Sequence, residues 1–388
     1  MDFFAKLADD VERRWLAFDR DDEAFPDIAA EALDALPPSS HFDREAFLDA
    51  ELDPYRPGRR ERAPLGAFGQ PGVTVCFGRD FVIEVYFWVD SVSGVHDHPF
   101  KGVFTILEGF SVHATYDWAE DDGPQGRLRT GALTQTGLEL LEAGAVRRFS
   151  RRAHPLIHAL VHVPVPSMSM VVRTTRADGY RRFVAPGLSA PWDPPDDVIA
   201  LQTSWLGALE ASGDPRASER LDRFLAHADL ETCWTLLSTR WGVMDATARA
   251  RRLDAVRARH GAKADPLAAA LGRHARSAQL DAVRGQLRDP DDRLVAVALS
   301  LGDSRDAILE LLRARHDDPV ARLHAFADTV GPAMGDDVTA ASSRVLIDGG
   351  GREGVLRQLA ESFGEETLDA QRDQIERFLD ESMFAAVC

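Results

Sequence analysis

The sequence predicts an α+β protein in three parts: a helical N-terminal segment over residues 1–60, an antiparallel β-barrel over 61–188, and an all-α domain over 196–388. Three observations carry this reading. Apolar residues open the chain at helical spacing; from about Gly66 to Val184 the pattern changes to short runs cut by Gly, Pro and Asp; and after Pro186 to Pro195, with four prolines and a glycine, helical spacing returns. A chain of 388 residues also exceeds what one ordinary core serves.

In the first part, Phe3, Phe4, Leu7, Val11, Trp15 and Leu16 recur at helical intervals, and a second such pattern covers Asp27 to Leu36. Pro37-Pro38 ends it, and Asp43 is placed to cap a short helix through Leu52. Tyr55 to Arg60 reads as a connector. The strand candidates that follow are Val73–Phe77, Phe81–Val89, Gly102–Leu107, Phe110–Asp117, a weak pair around Thr130–Glu142, Val146–Ser150, His158–Val163 and Ser167–Thr174. No helical pattern separates them, which excludes βαβ units and favours a double-sheet jelly roll.

Helices are then expected over Asp197–Leu209, Ala217–His227, Leu230–Thr239, Ala246–His260, Pro266–His274, Ala278–Leu287, Asp291–Leu301, Ser304–His316 and Pro319–Thr329, with a last pair ending near Phe384. Trp205, Trp234 and Trp241 are expected in the helical core, and Gly349-Gly350-Gly351 at a turn.

A net charge of −18 argues against nucleic acid, whose binding rests on Lys and Arg contacts to phosphates. Cys76, Cys233 and Cys388 are far apart and form no CxxC, so neither a disulfide framework nor a thiolate zinc site is indicated. The acidic, amphipathic start is unlike a signal peptide, and no apolar stretch approaches membrane-spanning length. A cytoplasmic protein with no membrane partner is the expectation. GxxxxGK[ST], HExxH and GxSxG do not occur.

The chemistry-bearing stretch is Gly94-Val95-His96-Asp97-His98-Pro99-Phe100, between two strand-like runs. Alternation puts His96 and His98 on one face and Asp97 on the other, so two imidazoles can reach one metal ion. A third ligand is available from His154, His158 or His162. His158 and His162 share a strand face, and His154 precedes a proline and suits a turn. On the strand before the motif Glu84, Tyr86 and Trp88 share a face: Tyr86 and Trp88 could line a pocket, and Glu84 could orient a histidine. Arg79 and Arg173 are candidate anion anchors.

The stretch from Gly94 to Leu107-Glu108-Gly109 resembles motif 1 of the cupin superfamily, and Gly144 through His158 and His162 resembles a loose motif 2. The resemblance implies a cupin β-barrel with His96, His98 and His158 as metal ligands. No carboxylate stands between Lys101 and Val103, where the motif 1 glutamate would fall, so a three-histidine site is implied, as in thiol dioxygenases such as cysteine dioxygenase. The Ser-x-His-x-Tyr set of those enzymes is replaced by Ser169, Met170, Val171, Val172 and Arg173, with no tyrosine after it and no cysteine near Val103. These departures argue against cysteine itself as substrate.

The resemblance thus implies a non-haem Fe(II) oxygenase, with Ni, Mn and Zn as alternative metals, acting with O2 on a small thiol-, amine- or carboxylate-bearing substrate. Arg173 and Tyr86 are the catalytic candidates, and Arg79, Trp88 and His162 the substrate-binding ones. The alternative is a non-catalytic cupin that binds a ligand while its helical domain recruits a protein partner or forms a homodimer. The simpler reading of Arg147, Arg148, Arg151 and Arg152 is a basic strand edge that discourages edge pairing.

Overall fold

The computed structural model describes residues 2–55, 69–90, 94–122, 126–176, 179–191, 197–334 and 337–364, with 375, 379 and 382–387 near the end. It is α+β, with a closed six-stranded barrel, a second sheet and many helices. The chain divides into two compact units. Met1–Thr115, Glu139–Tyr180 and Arg288–Arg293 form the first; Tyr116–Leu138, Arg181–Leu287 and Leu294–Cys388 form the second.

Four helices begin the chain: α1 (Asp2–Leu16), α2 (Phe25–Ala35), α3 (Pro38–His41) and α4 (Arg44–Leu52). The expected cap is present, the Asp43 carboxylate accepting from the Ala46 amide. Of the expected connector Tyr55 to Arg60, only Tyr55 lies among the described residues.

Among the described residues eleven strands follow: β1 (Gly72–Phe77), β2 (Phe81–Trp88), β3 (Val95–His96), β4 (Gly102–Glu108), β5 (Phe110–Glu120), β6 (Arg129–Glu142), β7 (Val146–Phe149), β8 (Ile157–His162), β9 (Ser167–Thr174), β10 (Arg181–Val184) and β11 (Leu188–Pro191). One sheet has the order β1-β2-β9-β4-β7, and the closed sheet runs β10-β11-β6-β5-β8-β3.

Alternation sorts the first sheet into two faces. Phe81, Ile83, Val85, Val103, Leu107, Met168, Met170 and Val172 pack with Leu7, Val11, Trp15, Phe25 and Ile28 of α1 and α2 in one apolar core. The opposite face of the same strands carries Glu84, Tyr86, Trp88, Phe104, Ile106, Ser169 and Arg173, with Phe104 and Ile106 packed against Leu141 and Phe149. The close approach of β4 to β9 requires glycine at 102, where a Cβ would stand 2.1 Å from the Val172 carbonyl oxygen.

Two strand expectations are revised. The weak strand pair around Thr130–Glu142 is one strand of 14 residues, β6. The boundary stretch contains a hairpin, β10 and β11, whose turn holds Gly187; a Cβ there would meet the Gly131 carbonyl oxygen at 2.2 Å, so two facing glycines let the chains meet. Of the prolines read as a linker, Pro186 lies in this turn and Pro191 ends β11, while Pro194 and Pro195 lie outside the described residues.

Helices resume with α5 (Asp197–Ala211), α6 (Ala217–Leu225), α7 (Leu230–Ser238), α8 (Ala246–His260), α9 (Ala264–Gln286), α10 (Pro290–Leu301), α11 (Arg305–Arg313), α12 (Pro319–Met334), α13 (Asp337–Ile347) and α14 (Gly351–Phe363). The expected pair Pro266–His274 and Ala278–Leu287 is the single helix α9: no Gly or Pro interrupts Ala275-Arg276-Ser277, and the helix buries Leu267, Ala270 and Leu271 in its first half and Leu280 and Arg284 in its second. Trp241 is buried with Leu221, Leu236 and Leu237, and Trp234 packs partly against them. Trp205 does not join that core; it is 64% exposed on α5. Of the three glycines expected at a turn, Gly349 lies in one after α13, and Gly351 begins α14. Among the described residues no helix is long and apolar enough to cross a membrane.

Candidate metal centre

His96 is the second residue of β3, and it pairs across the ladder with His158 of β8. His98 follows in the loop before Phe100, on the same side as alternation requires. The ligating atoms of His96, His98 and His158 lie within 4.8 Å of one another, and His98 Nε2 stands 2.9 Å from His158 Nε2. Two ligands about 2.1 Å from an ion and at right angles to each other would be about 3.0 Å apart, so this approach suits shared coordination. His96 and His158 are buried and His98 half-buried.

Aromatic rings wall the group. Phe149 stacks on His98 with centroids 4.1 Å apart, Phe104 lies 5.4 Å from His158, and Tyr180 meets His96 edge-on at 5.7 Å. In this apolar setting protonation is disfavoured. Burial lowers His96 to about 4, and burial with the neighbouring imidazoles pushes His98 and His158 well below the ordinary histidine range. A neutral imidazole offers the lone pair that a metal ion needs.

The surrounding hydrogen bonds assign that lone pair. His96 Nδ1 lies 2.8 Å from the Gly94 carbonyl oxygen, an acceptor only, so Nδ1 carries the proton and Nε2 keeps the lone pair. His158 Nδ1 lies 2.9 Å from His113 Nε2, and His113 Nδ1 lies 2.9 Å from Glu139 Oε1. Arg147 donates to both oxygens of Glu139, at 3.0 and 2.5 Å. The His113 bond, with Arg147 beside it, holds the Glu139 carboxyl down at about 2, so it remains an acceptor. The donor set, its burial and its proton pattern therefore fit a metal ion.

Sequence reasoning missed His113 and Glu139. A signal was present in Phe110-Ser111-Val112-His113-Ala114, where polar residues alternate within an apolar strand and so share a face. Arg147, read as an edge charge, instead anchors Glu139. Arg148 pairs with Asp27 at 2.9 Å, an exposed bridge.

The remaining candidates fall into separate groups. Arg173 donates to Glu84 through Nε at 2.7 Å and Nη2 at 3.0 Å, while the Tyr86 hydroxyl donates to Glu84 Oε2 at 2.9 Å. Glu84 thus grips an arginine and a tyrosine, not a histidine. Arg173 also lies over the Phe100 ring at 4.3 Å, and Phe100 contacts His98. Burial and the Glu84 charge push the Tyr86 phenol far above its ordinary range. His162 pairs with Ser111 Oγ at 2.8 Å and stacks on Trp88 at 4.7 Å, and the Trp88 indole donates to Ser169 Oγ. His162 is not brought into the metal group, and His154 binds Asp27 in an exposed position. Arg79 is exposed in the turn between β1 and β2.

Burial lowers His162 to about 3, which gives a pH dependence. Unfolded, the ring takes its proton near pH 6.5; folded, it resists until about 3, so the unfolded state binds more protons in between. The metal-free protein is therefore expected to lose stability as pH falls below about 6.5, above the carboxylate range. Urea midpoints measured between pH 7.5 and 4.5 should decline with a shallower slope in His162→Gln than in the wild type; equal slopes would refute a buried neutral His162.

Fold and site together describe a β-barrel protein with a buried three-histidine group able to bind a metal ion, an arrangement compatible with a cupin-like fold. No protein-family model matches the chain, and the comparison with curated proteins gave no match.

Proposed function

We propose that this protein is a cupin-type, non-haem Fe(II) oxygenase, thiol-dioxygenase-like, that acts on a small polar substrate bearing a thiol, amine or carboxylate. The observation that carries the reading is the convergence of His96, His98 and His158, all held neutral, within the barrel. Fe(II) held by three neutral imidazoles would keep its full double charge and supply open positions for O2 and a substrate donor atom. Ni, Mn and Zn suit the same donors, and O2 consumption separates iron chemistry from theirs.

The chain's own residues do the rest. Phe104, Phe149 and Tyr180 keep bulk water from the imidazoles, and Gly94 and His113 hold two rings in the ligating orientation. Because Glu84 neutralises Arg173, a metal held by the three histidines would be the main positive charge there, which would favour a substrate donor that binds it directly. A reducing, cytoplasmic setting would keep the iron ferrous.

The protein reconstituted anaerobically with Fe(II) should consume O2 when a small thiol, amine or carboxylate is added, and His158→Ala should abolish this. Uptake by no class of substrate, or uptake unchanged in His158→Ala, would overturn the proposal.

A further inference from the structure

The third ligand is backed by a hydrogen-bonded line of side chains that runs from the buried His158 through the buried His113 to Glu139 and Arg147, whose side chains are partly exposed. We infer that His113 is a positioning residue that sets the tautomer of His158, with Glu139 and Arg147 setting His113 in turn. The inference rests on the metal-centre reading for its purpose but not for its geometry.

The direction of each bond follows from what each atom can do. An ionised carboxylate only accepts, so His113 Nδ1 carries the proton given to Glu139. In the neutral ring His113 Nε2 is then an acceptor, and His158 Nδ1 must supply the proton between them. His158 Nε2 is left with its lone pair, 2.9 Å from His98 Nε2. The opposite tautomer would put a proton on Nε2, where a metal ion must bind.

The bidentate grip of Arg147 holds the Glu139 carboxylate in register from β7, and the edge of His113 against Phe104 at 5.7 Å fixes the ring plane. Each link is made by a different strand: β8, β5, β6 and β7. The supports of a histidine ligand commonly change metal affinity by about 10–100-fold when removed.

The test uses the full-length protein labelled with 15N-histidine, and it has two readouts. Long-range 15N–1H spectra of the metal-free protein near pH 7.5 report the tautomer of each ring, His158 being assigned by the signals lost in His158→Gln. Wild type should show the proton of His158 on Nδ1. His113→Leu should move it to Nε2, and His113→Gln, whose amide oxygen can take the place of Nε2 as acceptor, should restore it. Co(II) titration should then show His113→Leu weaker by about 10–100-fold and His113→Gln returning most of the loss at equal thermal stability.

A wild-type His158 carrying its proton on Nε2 would overturn the inference. So would His113→Leu with an unchanged tautomer and wild-type Co(II) affinity. Wild type that takes up no Co(II) while showing the expected tautomers would defeat the metal reading and leave the positioning role of His113 standing.

Discussion

Replacing His98 with alanine is expected to weaken divalent-metal binding by on the order of 10²–10³-fold. Structural sites with four ligands bind with about 10–16 kcal/mol, so one ligand contributes roughly 2.5–4 kcal/mol. His98 Nε2 is the atom that stands 2.9 Å from His158 Nε2, and no carboxylate occupies the stretch from Lys101 to Val103 to replace it. The variant also loses the ring stacked on Phe149, so water gains access to the two remaining imidazoles. At a metal concentration about 1,000 times Kd the wild type should gain roughly 4 kcal/mol of stability, and the variant should lose most of that gain. Competition titration with a chelator measures the first effect and denaturant midpoints with and without metal the second. An affinity within tenfold of wild type would mean that His98 is not a ligand.

The second large effect is expected from Arg173→Met. Glu84 is 1% exposed, and its carboxylate is held by the two donors of Arg173 and the Tyr86 hydroxyl. Methionine leaves that carboxylate buried with one partner, at a cost of about 3–5 kcal/mol. Lysine cannot reproduce the two-pronged grip or lie flat over Phe100, so Arg173→Lys should recover only a small part. Adding Glu84→Gln to Arg173→Met should recover much of the loss, because the buried charge is then gone. Urea midpoints of the metal-free wild type, Arg173→Met, Glu84→Gln and the double variant measure this cycle, with Arg173→Lys beside them. If Arg173→Met is destabilised by less than about 1 kcal/mol, the pair is not structural and Arg173 is available to a substrate anion.

The residues that were legible in the sequence are those whose position follows from a short period. Two-residue alternation placed His96 and His98 together, and the proline after His154 set it apart from His158. The same alternation put Glu84, Tyr86 and Trp88 on one face. It could not show that Arg173 of β9 would arrive opposite Val82, within reach of Glu84, since register between strands is a long-range property. That is why Glu84 was expected to hold a histidine.

His113 and Glu139 are 26 residues apart, and no local rule joins them; strand pairing alone brings them within 2.9 Å. The hairpin of β10 and β11 was hidden by its prolines, which break patterns in a linker and in a tight turn alike. Trp205 shows the converse, since helical spacing marks a face but not whether that face is covered.

The central claim is that His96, His98 and His158 form a metal centre. Its most direct test is the metal content of full-length protein purified anaerobically without added metal, wild type beside His96→Ala, by elemental analysis. The account predicts close to one iron per chain in the wild type and none in the variant. A wild type that contains no metal and takes up none when Fe(II) is supplied would contradict it.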